Sequence, residues 1–127
     1  DIKGHTEYLA HYASEDHPLM LMVHNGLRVG VVTGHVPLKD VADVLTKDKI
    51  ETTLEVFQKS LTQDFNIHQP KIAVLGLNPH AGDEGVIGKE ESEIIIPAIE
   101  AFNAEGGIAI GPFPSDGFFG SGKYKKF

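Results

Sequence analysis

Residues 71–77 read Lys-Ile-Ala-Val-Leu-Gly-Leu, a short apolar run that lies between Pro70 and Pro79. A run of this length fits a parallel strand buried on both faces, although a buried helical segment has the same pattern. The flanking prolines favour the strand. Because helices are predicted on both sides of it, the run indicates an α/β fold.

The helix before this strand begins with Asp48 and Glu51, a pair spaced like a capping box. After the strand, residues 90–105 are predicted to be helical, with Pro97 marking either a kink or the true start. A second short strand at 107–110 and a loop-like tail follow. The apolar stripe of the first of these helices consists of Ile50, Leu54, Phe57, Leu61 and Phe65.

A β-hairpin is predicted where Asn25-Gly26 separates two apolar runs, at 19–24 and 27–33. This dipeptide tolerates the positive φ angles of a two-residue type I′ turn. Apolar side chains lie on both alternating faces of the two strands. We therefore expect both faces of the hairpin to be covered.

Together these elements predict a layered α/β sandwich with a mixed sheet, to which the hairpin supplies the antiparallel part. A short helix is expected at 37–45. The chain suits a single domain, 1–127, that buries roughly two thirds of its unfolded surface. Both ends are interpreted as cuts, because the chain begins without Met and ends at 123–127 without a terminating signal.

The composition excludes several classes of function. Eighteen acidic and 11 basic residues give a formal net charge of −7, which would repel the backbone of a nucleic acid. No apolar run approaches the ~20 residues needed to cross a bilayer, and the first residues are not a signal peptide. Cysteine is absent, which excludes disulfides and thiolate metal sites and fits a cytoplasmic protein.

Two loops are expected at one edge of the predicted sheet. Residues 78–82 and 114–116 each follow the carboxyl end of a predicted strand, where ligands bind in folds of this kind. The glycine-rich segment 82–89 is not a phosphate loop, because Glu90 follows Lys89 where Ser or Thr is required. Since G-x-G-x-x-G and G-x-S-x-G are both absent, neither a Rossmann nucleotide site nor a serine hydrolase is supported.

Seven histidines are present, and none belongs to a His-x-His or His-Glu-x-x-His zinc motif. His5 and His80 stand apart, because each follows a glycine or a proline at a junction between elements. His5 precedes a predicted helix that extends to Ala13, for which Thr6 is the expected N-cap. Spacing alone favours structural roles, in which His5 caps the helix and His80 braces a turn.

Four blocks of sequence lie in order along the chain: GHTE (4–7), TGHVPL (33–38), VLGLNPHAG (74–82) leading to GKEE (88–91), and GPFPSD (111–116). In this order and at similar spacing, they resemble blocks of the 4-hydroxythreonine-4-phosphate dehydrogenase family. The similarity covers nearly the whole chain, and the Leu-Asn-Pro-His-Ala-Gly segment is its most specific part.

The resemblance implies NAD-dependent oxidation of 4-phosphohydroxy-L-threonine to a β-keto acid, which loses carbon dioxide to give 3-amino-2-oxopropyl phosphate in pyridoxal 5′-phosphate biosynthesis. It also implies a divalent metal (Zn, Mg or Co) held by three histidines, two of which match His5 and His80. The third belongs to a His-Asp-Gln-Gly segment that lies outside this chain. No residue is assigned to NAD.

The family's fold is similar to that of the isocitrate and isopropylmalate dehydrogenases, with the active site between two α/β domains and completed across a homodimer. The resemblance thus implies that residues 1–127 form the central, dimer-forming domain and are inactive alone. Asp116 matches an acidic residue of the cleft and is the candidate catalytic residue, although Gly117 replaces the hydroxyl residue expected beside it. The family's phosphate-binding residues lie outside the chain.

Three alternatives stay open. The first is a related dehydrogenase for another sugar-acid phosphate, such as threonate or erythronate 4-phosphate. The second is a non-catalytic dimerisation module, in which His5 and His80 are structural. The third is a metal-dependent hydrolase, which would differ in needing no NAD.

Overall fold

The computed structural model describes residues 3–14, 16–81 and 83–127. Helices and strands alternate along these ranges, which confirms the predicted α/β class. Shorter turns of 3₁₀ helix lie at Leu38–Asp40, Asp83–Gly85 and Lys123–Lys126. The helices are α1 (His5–Ala13), α2 (Val41–Val44), α3 (Lys47–Gln63), α4 (Ile96–Ala104) and α5 (Ser115–Gly120), and the strands are β1 (Leu21–His24), β2 (Leu27–Gly30), β3 (Ile72–Leu75) and β4 (Ala109–Phe113).

The described strands pair in two small sheets. β1 and β2 are antiparallel, whereas β3 and β4 are parallel, with Ile72 opposite Ala109. Both kinds of pairing were predicted, but as parts of one mixed sheet. Over the ranges that the structure describes, the hairpin and the parallel pair share no ladder. A cavity of about 570 Å³ is lined by both of them and by α3, so the two sheets stand apart.

The hairpin turn has the predicted geometry, because Asn25 (φ 47°) and Gly26 (φ 83°) both have positive φ angles. Its faces are less covered than predicted. Met20, Met22 and Val23 are 46%, 52% and 53% exposed. A cover for this apolar surface is therefore not supplied by the part of the chain that the structure describes.

The longest helix, α3, contributes one wall of the core through Ile50, Leu54 and Leu61. Its N-cap is Thr46, whose side-chain oxygen accepts a 3.1 Å hydrogen bond from the Lys49 amide. The capping box predicted at Asp48 is wrong, because the N-cap lies two residues earlier. Thr46 is still in extended conformation and can fold back on the first turn, whereas Asp48 already lies inside the helix.

The parallel strands and α4 complete the core. Pro97 lies at the start of α4, which was one of the two predicted alternatives. A π turn at Glu91–Ile95 precedes this helix. The Asn103 side chain binds both the amide and the carbonyl of Ala109, at 2.8 and 3.0 Å, and so fixes α4 against β4. The core cluster consists of Leu45, Ile50, Leu54, Leu61, Ile72, Ile95, Ala98, Ile99, Phe102 and Ala109.

The prediction of a loop-like tail is wrong, because residues after Pro114 form α5 and a 3₁₀ turn. Phe118 of α5 is buried, and its ring lies 5.1 Å from that of Phe113 and 5.7 Å from that of Phe127. Mutual burial of these aromatic rings supplies the stability that a glycine-rich segment lacks by itself.

The helices that the structure describes are all too short or too polar to span a membrane. The single domain at 1–127 stays a prediction.

Candidate functional site

The carboxyl ends of β3 and β4 meet at one edge, as predicted. Leu75 is opposite Phe113, and the next amide, that of Gly76, donates a 2.9 Å hydrogen bond to the Phe113 carbonyl. The segments that leave these strands, 77–81 and 114–116, therefore begin side by side. In α/β folds this is the position where ligands bind.

His80 lies in a tight turn just past β3. The Ala81 amide donates to the Asn78 carbonyl (3.1 Å), and the His80 amide donates to the Asn78 side-chain oxygen (3.0 Å). A Cβ on Gly76 would lie 2.8 Å from the Ala81 Cα, so the turn folds back over the strand end. The His80 side chain is exposed, and its backbone, not its ring, holds the turn.

A buried glutamate, Glu91, packs beneath this turn. It is 4% exposed, and its Oε1 accepts hydrogen bonds from the Leu77 amide (2.8 Å) and the Asn78 side-chain nitrogen (3.3 Å). Sequence reasoning missed this role, although Glu91 lies in the GKEE block. The available signal was spacing, because Glu91 lies four and eight residues before Ile95 and Ile99 and so shares their helical face.

His5 was predicted to precede the helix, but it is the first residue of α1, and Thr6 is not the N-cap. Gly4 takes that position in fully extended conformation, and its carbonyl accepts a 3.1 Å hydrogen bond from the Tyr8 amide. Thr6 is already helical, and its side chain makes no capping bond to any residue that the structure describes. The His5 side chain is exposed at the mouth of the helix.

A second carboxylate holds the start of α1. Glu7 Oε1 lies 3.2 Å from His35 Nδ1, and the His35 ring packs directly over Gly4. The pKa of Glu7 is below its ordinary value of 4.5, first because its own backbone amide hydrogen-bonds to the carboxylate and then because His35 does. A cavity of about 480 Å³ opens beside the pair and is also lined by Thr6 and Lys49.

The lowered pKa of Glu7 gives a pH-dependent contribution to stability. A group with a depressed folded-state pKa stabilises the fold above its unfolded-state pKa, and this contribution is lost as pH falls through the folded-state value. In metal-free protein, the excess of the wild-type Tm over that of Glu7→Gln should therefore shrink below about pH 4.5. Thermal unfolding monitored by circular dichroism measures this difference in Tm at each pH. A difference that does not change with pH would contradict the lowered pKa of Glu7.

Asp116 lies in the first turn of α5, with its side chain exposed. Its Oδ1 accepts a 2.7 Å hydrogen bond from the Gly117 amide. The residue thus stands at the predicted edge of the parallel pair. Its catalytic role stays a prediction.

The two candidate metal ligands have suitable donor chemistry. Over 3–14, 16–81 and 83–127, neither the His5 ring nor the His80 ring makes a hydrogen bond or an ion pair, so both have free nitrogens. Within the same ranges, no three His, Asp or Glu side chains come close enough together to hold a metal ion. Any complete ligand set needs a further group, and the assignment of His5 and His80 stays a prediction.

Comparisons with known proteins cover the whole chain. The family model described as pyridoxal phosphate biosynthetic protein PdxA matches residues 1–127. A Bacteroides thetaiotaomicron protein named 4-hydroxythreonine-4-phosphate dehydrogenase is 47% identical over 98% of this chain, which covers 34% of that relative. A Neisseria meningitidis serogroup B protein of the same name is 47% identical over 91% of this chain and 35% of its own length.

Solved structures agree with this similarity. The 4-hydroxythreonine-4-phosphate dehydrogenase of Klebsiella pneumoniae matches with a TM-score of 0.85 and 38% identity, over 94% of this chain and 36% of that one. A terephthalate 1,2-cis-dihydrodiol dehydrogenase of Burkholderia xenovorans matches with a TM-score of 0.77 and 26% identity, over 89% of this chain and 37% of that one. The chain thus spans about a third of the length of these relatives.

Proposed function

This chain belongs to the PdxA family of pyridoxal phosphate biosynthetic proteins, and from that premise we propose that it is the central part of a 4-hydroxythreonine-4-phosphate dehydrogenase. One observation carries the proposal: the 47% identity that extends over 98% of the chain to a relative of that name. The relatives are oxidoreductases by name. The substrate, the cofactor and the metal belong to the proposal.

The proposed reaction transfers hydride from the carbon of the substrate's secondary alcohol to NAD⁺, while the alcohol proton is released. The resulting β-keto acid then loses carbon dioxide and leaves 3-amino-2-oxopropyl phosphate. No residue of this chain is assigned to NAD or to the substrate phosphate. Asp116, at the carboxyl edge of the parallel strands, is the proposed acidic residue of the cleft.

In this proposal His5 and His80 hold a divalent cation (Zn, Mg or Co) through neutral imidazole nitrogens, and a third ligand comes from outside residues 1–127. A bound divalent cation supplies Lewis-acid polarisation of the substrate oxygen. Both rings are exposed and, among the residues that the structure describes, make no hydrogen bond or ion pair, which supports this assignment. The His80 turn and the start of α1 would orient the two rings.

The exact substrate is the least constrained part of the proposal. The Burkholderia xenovorans relative carries the name of a different dehydrogenase, so relatives with this fold differ in substrate. Dehydrogenases of threonate or erythronate 4-phosphate are the alternative within the family. Parallel kcat/KM measurements on the three substrates, with the product of the complete gene, would separate these activities.

We further propose a homodimer, in which apolar surface of α1 and the hairpin is covered by other parts of the protein and by a second subunit. Leu9, Tyr12 and Met22 are 65%, 72% and 52% exposed, which is costly for side chains of this size. Light scattering that shows only monomer at high concentration would count against the dimer.

A cytoplasmic location is also part of the proposal and rests on the absence of cysteine.

The product of the complete gene should reduce NAD⁺ when 4-phosphohydroxy-L-threonine is added. We expect a chelator to abolish this turnover and a divalent cation to restore it, because the bound cation would supply the Lewis-acid polarisation of the substrate oxygen. NADH absorbance measures both effects. Turnover that persists in the chelator would exclude the metal role, and metal-dependent hydrolysis without NAD would favour the hydrolase alternative.

A further inference from the structure

Glu91 is a buried charge that the proposed function leaves without a role. It is the one buried polar or charged residue among those that the structure describes. A buried carboxylate is costly unless hydrogen bonds compensate it, so its position needs a physical reason. It begins the π turn before α4, 14 residues after the strand-end amide that it binds.

The hydrogen bonds of Glu91 lead to His80. Oε1 binds the Leu77 amide at 2.8 Å, at the point where the chain has left the β3–β4 ladder. The same oxygen binds the Asn78 side-chain nitrogen at 3.3 Å, and the Asn78 oxygen binds the His80 amide at 3.0 Å. One side chain therefore connects the buried carboxylate to the backbone of the candidate ligand.

The turn needs such support. Ala81 has a φ of 50°, and Asp83 and Glu84 also have positive φ angles, which non-glycine residues rarely adopt. The His80 side chain itself is exposed and, within the described part of the chain, makes no bond that would fix it. Without the carboxylate, the Leu77 amide and the Asn78 side-chain nitrogen lose a hydrogen-bond acceptor that helps to set the direction of the turn.

We propose that Glu91 is a positioning residue that fixes the Asn78–Ala81 turn and so presents the His80 ring in one orientation for metal binding. The inference rests on the proposed function, in which His80 is a ligand. Fixing a ligand before it binds lowers the conformational entropy lost on binding. Groups that orient metal ligands in this way typically account for about 10- to 100-fold in metal affinity.

The test uses Co²⁺ as the probe and the product of the complete gene. Binding is followed by isothermal titration and by the visible Co²⁺ spectrum, and kcat and KM are measured beside them. Glu91→Ala should weaken Co²⁺ binding about 10- to 100-fold. Glu91→Gln keeps an oxygen acceptor for both donors and should restore most of the affinity. Glu93→Ala, which removes an exposed charge from the same π turn, should bind like wild type.

A second variant keeps the test decisive if Glu91→Ala does not fold. Asn78→Ala leaves the bond between Glu91 and Leu77 intact but removes the link to His80, and should also weaken Co²⁺ binding. The inference is overturned if every one of these two variants that folds binds Co²⁺ like wild type while His80→Ala does not. If His80→Ala itself binds Co²⁺ like wild type, the ligand assignment of the proposed function fails, which is a separate result.

Discussion

Replacing His80 with alanine is expected to lower kcat/KM for NAD-dependent oxidation by more than about 100-fold, because loss of a ligand should exceed the loss caused by a group that only orients one. His80 lies just past the end of β3, in the turn that is held by hydrogen bonds of Asn78 and Glu91, and its ring is exposed. Removing the ring deletes a nitrogen that is proposed to bind the metal, but it deletes no core contact. Steady-state kinetics and metal analysis of the complete protein measure the effect.

His68→Ala is the matched control, because His68 is also an exposed histidine and lies outside both candidate loops. It should retain the metal content, the turnover and the Tm of wild type. Turnover and metal content that survive in His80→Ala would show that this histidine is structural. The non-catalytic interpretation of residues 1–127 would then gain support.

Gly111→Ala is expected to have the largest effect on stability. Gly111 lies in β4 with a φ of 148°, and an added Cβ would collide with the Val74 carbonyl oxygen of β3. The backbone strain costs about 1–3 kcal/mol and the overpacking about 1–3 kcal/mol more. Because folded domains typically have a free energy of unfolding of about 5–15 kcal/mol, Gly111→Ala should remove a large part of the stability.

Gly120→Ala provides the comparison for this variant. Gly120 lies in α5, and an added Cβ would meet no atom within 4 Å. Alanine should there raise the free energy of unfolding by at most about 0.5 kcal/mol, because it has the higher helix propensity and Gly120 is the last residue of the helix. Urea denaturation measures both variants, and equal midpoints would refute the tight approach of β3 and β4.

Local signals predicted much of the fold. An apolar run between prolines located β3, Asn25-Gly26 located the hairpin turn, and Pro97 located the start of α4. Each of these depends on residues that are close in sequence. The convergence of two loops at one strand edge was also predictable, because parallel strands place their carboxyl ends together.

Long-range contacts explain what the sequence did not reveal. The partners Glu7 and His35 are 28 residues apart, and Glu91 binds the Leu77 amide across 14 residues. Neither pair follows a helical or strand period, so the two acids resembled ordinary surface charges. The tail was mispredicted for a different reason, since α5 is stabilised by a local contact, Phe118 on Phe113, that a glycine-rich segment does not signal.

The account as a whole depends on His5 and His80 binding one cation. A crystal structure of the complete protein with a bound divalent metal tests this most directly. We expect one imidazole nitrogen of each histidine at about 2.0–2.2 Å from the same ion, with a third protein ligand from outside residues 1–127. An ion that is bound by neither of these two rings, or by only one of them, would contradict the account.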